Sequence, residues 1–174
     1  MLKNLLLVFC VCLAGCGVDV QRYSEQNPKL DLPGFFVGQV DGWGMFQKRS
    51  GEVIKRFHVL INSRMDGQNL IMHEAFTYSD GTRQTRVWTL YPDGPGRWRG
   101  TAGDVVGESH GEVAGNALHW RYELSLPVDD KVYQVHFDDW MYLLDENTMA
   151  NRSAMTKFGV ELGQVTLFFR RHGA

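Results

Sequence analysis

Cysteine is scarce in this chain and unevenly placed. Three occur in 174 residues, at Cys10, Cys12 and Cys16, and none follows. A disulfide framework is therefore excluded, and the domain must be held by packing. There is no basic excess: 18 Lys and Arg stand against 20 Asp and Glu, a net charge of −2. Nothing here offers a footprint for nucleic-acid phosphates. The apolar run from Leu5 to Val11 is too short to span a bilayer as a helix. The six histidines are scattered, with no metal-ligand spacing, so neither a metal nor another cofactor is expected. Ser109-His110 and its neighbouring acids form no nucleophile motif, and no glycine loop suits a phosphate. Asp138 and Asp139 are adjacent, so on a strand they face opposite ways and cannot form a glycosidase-like pair. No segment keeps a helical period over ten residues.

What is present begins with the N-terminus. Lys3 precedes the apolar run, and Leu13-Ala14-Gly15 precedes Cys16. Charge, apolar core and small-residue site together read as a secretory signal. The tetrapeptide resembles the bacterial lipoprotein signal, or lipobox. That resemblance implies a signal peptide over 1–15, diacylglycerol on the Cys16 thiol, and an acylated new N-terminus. Partnership with a membrane through acyl chains follows, since each buried methylene contributes about 0.8 kcal/mol. Gly17, rather than an acid, follows the cysteine, which by the same resemblance implies the outer membrane, facing the periplasm. Residues 16–33 read as lipidated terminus and tether, with Pro28, Pro33 and polar residues and no period. Residues 34–174 read as one domain.

From Gly34 onward short alternating apolar runs are separated by turn pairs: Ser50-Gly51, Asp66-Gly67, Asp80-Gly81, Asp93-Gly94, Gly115-Asn116, Asp129-Asp130, Glu146-Asn147 and Leu162-Gly163. Asp-Gly suits hairpin turns because both central residues tolerate positive φ. The runs, rich in Val, Phe, Trp, Tyr and Thr, predict strands over 35–48, 52–63, 68–79, 83–91, 96–103, 105–114, 117–127, 131–144, 149–160 and 164–171. The expected fold is all-β: an antiparallel up-and-down meander of about 8–10 strands closed into a barrel, with a two-sheet sandwich as the alternative. Gly38, Gly42 and Gly44 suit the bends of a small barrel.

Parity assigns faces. Leu118, Trp120, Tyr122, Leu124 and Leu126 share one face, as do Leu70, Met72, Phe76 and Tyr78, and these are expected inside. They could equally be a packed core or the wall of a ligand cavity. In 131–144, Phe137, Asp139, Met141 and Leu143 share the more apolar face. If Glu146-Asn147 is a two-residue turn, 143 pairs with 150 and 141 with 152, which brings Arg152 inward beside Asp139. An acid and a guanidinium in an apolar interior form a structural ion pair or hold an acidic head group.

The residues Asp138-Asp139-Trp140-Met141-Tyr142-Leu143, Asn151-Arg152-Ser153, Lys157-Phe158-Gly159, Gly34-Phe35-Phe36 and Asp41-Gly42-Trp43-Gly44 resemble an uncharacterised family of bacterial lipoproteins, domain of unknown function 3833. The resemblance spans most of 28–171. It implies a lipocalin-like, calycin-type barrel and no particular activity. Three functions remain open. The first is a membrane-anchored binder of a lipid, fatty acid or similar apolar acid, with Arg152 and Asp139 at the polar end and Trp120, Tyr122, Phe137, Met141 and Tyr142 around the ligand. The second is an isomerase- or cyclase-like enzyme using Asp139 or Tyr142 in the same pocket. The third is a filled barrel serving envelope structure or assembly.

Overall fold

The computed structural model describes residues 17–128 and 130–172, so Cys16 and the signal segment expected before it lie outside the described residues. Ten strands run in order: β1 (Gly38–Lys48), β2 (Val53–Asp66), β3 (Asn69–Tyr78), β4 (Arg83–Pro92), β5 (Arg97–Thr101), β6 (Ser109–Ala114), β7 (Ala117–Val128), β8 (Lys131–Leu143), β9 (Thr148–Lys157) and β10 (Val160–Arg171). Each pairs antiparallel with its sequence neighbours, and β1 pairs with β10 from Val40↔Arg171 to Lys48↔Gly163. The meander therefore closes into a barrel, which leaves no open sheet edge. The hairpin expectation holds at Gly67, Gly81 and Gly94, each at positive φ.

Strand glycines admit large neighbours rather than only bending the sheet. A Cβ on Gly44 would sit 2.3 Å from the Phe57 ring, and one on Gly111 would sit 2.0 Å from Trp120. Each glycine is thus the cross-strand partner of a large ring, which lies over it on the inner face.

The two ends of the barrel differ. At the end where β1 begins, a short helix α1 (Leu32–Phe36) buries Leu32, Phe35 and Phe36 in the main core with Val40, Ile61 and Leu70. Phe36 meets Phe169 edge-on at 5.6 Å. The opposite end, carrying the β1–β2, β3–β4, β7–β8 and β9–β10 turns, is lined by half-buried Phe46, Phe76, Tyr78, Leu126, Tyr133 and Met155. It forms a mouth.

Residues 17–33, expected as a spacer, are instead folded onto the closed end. A 3₁₀ turn (Val20–Tyr23) is capped by the Asp19 carboxylate, which accepts from the Gln21 N–H at 2.9 Å. Val20 is 3 % exposed and packs with Ala114 and Ala117. The Leu30 N–H donates to the Gly115 carbonyl at 2.7 Å. The segment lacks a period because its apolar residues are buried one at a time.

Candidate functional site

A polar belt crosses the interior wall. It runs from Glu74 on β3 and Arg86 on β4, through Asp104 on the β5–β6 loop, to Tyr122 on β7, Asp139 on β8 and Ser153 on β9. Arg86 grips the Asp104 carboxylate: Nε lies 3.0 Å from both oxygens, and Nη2 lies 2.7 Å from Oδ2. Its Nη1 stands 3.7 Å from Glu74 Oε2, beyond hydrogen-bond reach. That Oε2 is buried without a partner among the described residues. The guanidinium also lies over the Phe76 and Trp88 rings, at 5.7 and 6.0 Å. Such contacts with an aromatic face favour a desolvated arginine.

Asp139 is 7 % exposed and accepts from the Ser153 hydroxyl. The Tyr122 hydroxyl lies 3.5 Å from its other oxygen. Burial pushes the Asp139 carboxyl up to about 7, against the pull of the Ser153 hydrogen bond. Burial likewise pushes Glu74 up to about 7, against the attraction of Arg86. Tyr122 is held well above its ordinary value, first by burial and then by Asp139. Its ring stacks on Phe137 at 5.1 Å and meets Trp88 edge-on at 5.4 Å. The belt therefore holds three carboxyls and one guanidinium inside an aromatic lining. Two of the carboxyls exchange protons near neutrality.

Of the residues expected at the site, Trp120, Tyr122, Phe137, Asp139 and Met141 face inward, with all but Met141 buried. Arg152 and Tyr142 do not. Asp139 pairs with Ser153, and Trp140 with Arg152, so the observed register differs by one residue from the expected one. The cause is the connection. Leu144 N–H donates to the Thr148 carbonyl at 2.8 Å, and Asp145 receives the Asn147 N–H at 2.8 Å, giving a three-residue loop in place of two. One residue of slip turns a whole strand over. Met149, Asn151, Ser153 and Met155 point in, and Arg152 is exposed, donating from Nε to Gln164 at 3.1 Å. Tyr142 lies on the outer face, meeting Tyr23 edge-on at 5.3 Å. It shares no site with Asp139, which removes the expected pairing of these two in one pocket.

An interior guanidinium was thus foreseen, but at the wrong position. Arg86 and Glu74 were legible in principle. Trp88 and Leu90 are buried, and Arg86 has their parity. Glu74 stands inside the inward row Leu70, Met72, Phe76, Tyr78. Two surface depressions lie outside the barrel, about 330 Å³ beside Asp145 and Arg170 and about 430 Å³ beside His136 and Lys157.

This architecture, a closed antiparallel meander with a short helix packed into one end and a polar belt in its interior, is a lipocalin-like barrel. The chain belongs to the family described as "Protein of unknown function (DUF3833)", which matches residues 10–171. Among solved structures it is similar to the S-type phycobiliprotein lyase CPES from Guillardia theta. The TM-score is 0.56 at 9 % identity, covering 79 % of this chain and 89 % of that one. At this identity the likeness is one of fold. No curated protein matches.

Proposed function

We propose that the protein is a lipoprotein anchored through Cys16, on the outer membrane facing the periplasm, whose barrel binds a lipid, fatty acid or similar apolar acid. The observation that carries the reading is the loose interior ion pair of Arg86 Nη1 and Glu74 Oε2, 3.7 Å apart, in which Oε2 has no hydrogen-bond partner among the described residues. A ligand carboxylate bridging the two would accept from the guanidinium and from the protonated Glu74 carboxyl. Its tail would lie along Phe57, Phe76 and Tyr78. The polar end moves from Arg152, which is exposed, to Arg86.

Because Glu74 titrates near 7, binding of an acid that is itself ionised should weaken between pH 6 and 8, as Glu74 loses the proton it would donate. Titration with the fluorescent fatty acid parinaric acid tests this. Arg86→Gln should lower affinity about tenfold or more, in line with loss of a charged hydrogen bond. Glu74→Gln should bind but lose the pH dependence, and Arg152→Ala should match the parent. Absence of micromolar binding in the parent, or indifference to both interior substitutions, would remove the proposal.

A second reading, a filled barrel acting in envelope structure or assembly, is favoured by the seating of Phe57 over Gly44 and Trp120 over Gly111. It requires that the same titration show nothing.

A further inference from the structure

The outer wall beside the closed end carries a second aromatic group that the lumen does not use. Tyr23, Trp140 and Tyr142 form it, each half-buried, with ring centroids 5.3 to 6.2 Å apart. The hydroxyls of Tyr23 and Tyr142 lie 3.4 Å apart. Arg22 and Arg152 are exposed on the same elements, the 3₁₀ turn and the strand beside Trp140. Beneath them Val20 is buried against Ala114 and Ala117, so the chain is fixed to the domain from that residue onward.

Val20 is four residues after Cys16. Four extended residues reach at most about 14 Å. The eight longer strands, of ten to fourteen residues, tilted as in small barrels, make a wall roughly 25–35 Å tall. The acyl chains proposed on Cys16 therefore hold the closed end near the bilayer and cannot reach around to the mouth. Tyrosine and tryptophan place an apolar body and a polar tip at the headgroup level of a membrane, and exposed arginines meet lipid phosphates there.

We infer that the patch of Tyr23, Trp140 and Tyr142, flanked by Arg22 and Arg152, seats on the phospholipid headgroups of the anchoring bilayer, with the α1 end towards the membrane and the mouth turned away. This rests on lipidation of Cys16. It sets how a ligand is exchanged: through the aqueous side, not directly from the anchoring leaflet. The apolar tips around the mouth, Val53, Ile54, Val132 and the almost fully exposed Phe158, then face away from that leaflet.

The test uses the lipidated protein, extracted from its envelope and reconstituted in phosphatidylethanolamine–phosphatidylglycerol vesicles that contain headgroup spin-labelled lipid. Intact mass first establishes acylation, so failure of the anchor is read separately. With the Cys16 thiol blocked by lipid, a fluorophore is placed at Glu146→Cys, on the β8–β9 loop at the closed end, or at Ser50→Cys, on the β1–β2 turn at the mouth. Both sites are exposed turns, so folding is undisturbed. The Glu146→Cys label should be quenched at least twofold more than the Ser50→Cys label, and the difference should shrink when Trp140→Ser is added. Equal quenching of the two, or stronger quenching at Ser50→Cys, overturns the inference.

Discussion

A carboxyl buried among rings resists ionisation, and its proton then reports on folding. Asp139 and Glu74 both titrate near 7 in the fold, above the values of about 4 expected of an unfolded chain. Between those values the folded state holds protons that the unfolded state releases. Stability therefore falls as pH rises from about 4 to 7. Asp139→Asn keeps polar partners for Ser153 and Tyr122 and removes one titration. Denaturant midpoints measured from pH 5 to 8 should slope less in this variant than in the parent. A parallel slope would show that Asp139 ionises as freely as in water. At this scale the sequence was partly legible. The inward place of Asp139 followed from the parity of Phe137 and Leu143. Arg86 carries no mark beyond the parity it shares with Trp88 and Leu90, whereas the dense apolar run around Asp139 points to Arg152.

At the scale of elements, strand existence was readable and register was not. Strands expected at 83–91 and 117–127 appear as β4 and β7 with boundaries shifted by one residue. The β8–β9 connection is illegible in the sequence because Glu-Asn imposes no turn geometry of its own. The Asp145 carboxylate organises the loop through the Asn147 N–H, and such a local bond adds a residue without an obvious mark in the composition. The strand glycines are a sharper signal. Gly111 leaves room for the Trp120 indole, which fills the volume a Cβ would need. Gly111→Ala should cost about 1–3 kcal/mol in urea unfolding through overpacking, with altered tryptophan fluorescence. An unchanged midpoint would mean that the indole moves freely.

For the whole molecule, the sequence left barrel and sandwich open, since hairpins alone do not say whether the first and last strands meet. The β1–β10 ladder decides it. Amide hydrogen exchange should show peptides 38–48 and 160–171 protected as well as those from β7 and β8, because each has a partner on both sides. Rapid exchange along either strand would mean an open edge. The sequence also could not show that 17–33 belongs to the domain. Val20, Leu30 and Leu32 are too far apart to form a pattern, and only the assembled closed end gives them a surface.

That ladder joins residues more than a hundred positions apart, Val40 to Arg171. Until β10 has been made, the earlier strands can curl but the ring has a gap where that strand belongs. A nascent chain stopped short therefore presents two raw flanks to its surroundings. Termination before β10 would be far more damaging than the dozen missing residues suggest, and chaperone demand should peak just before β10 emerges.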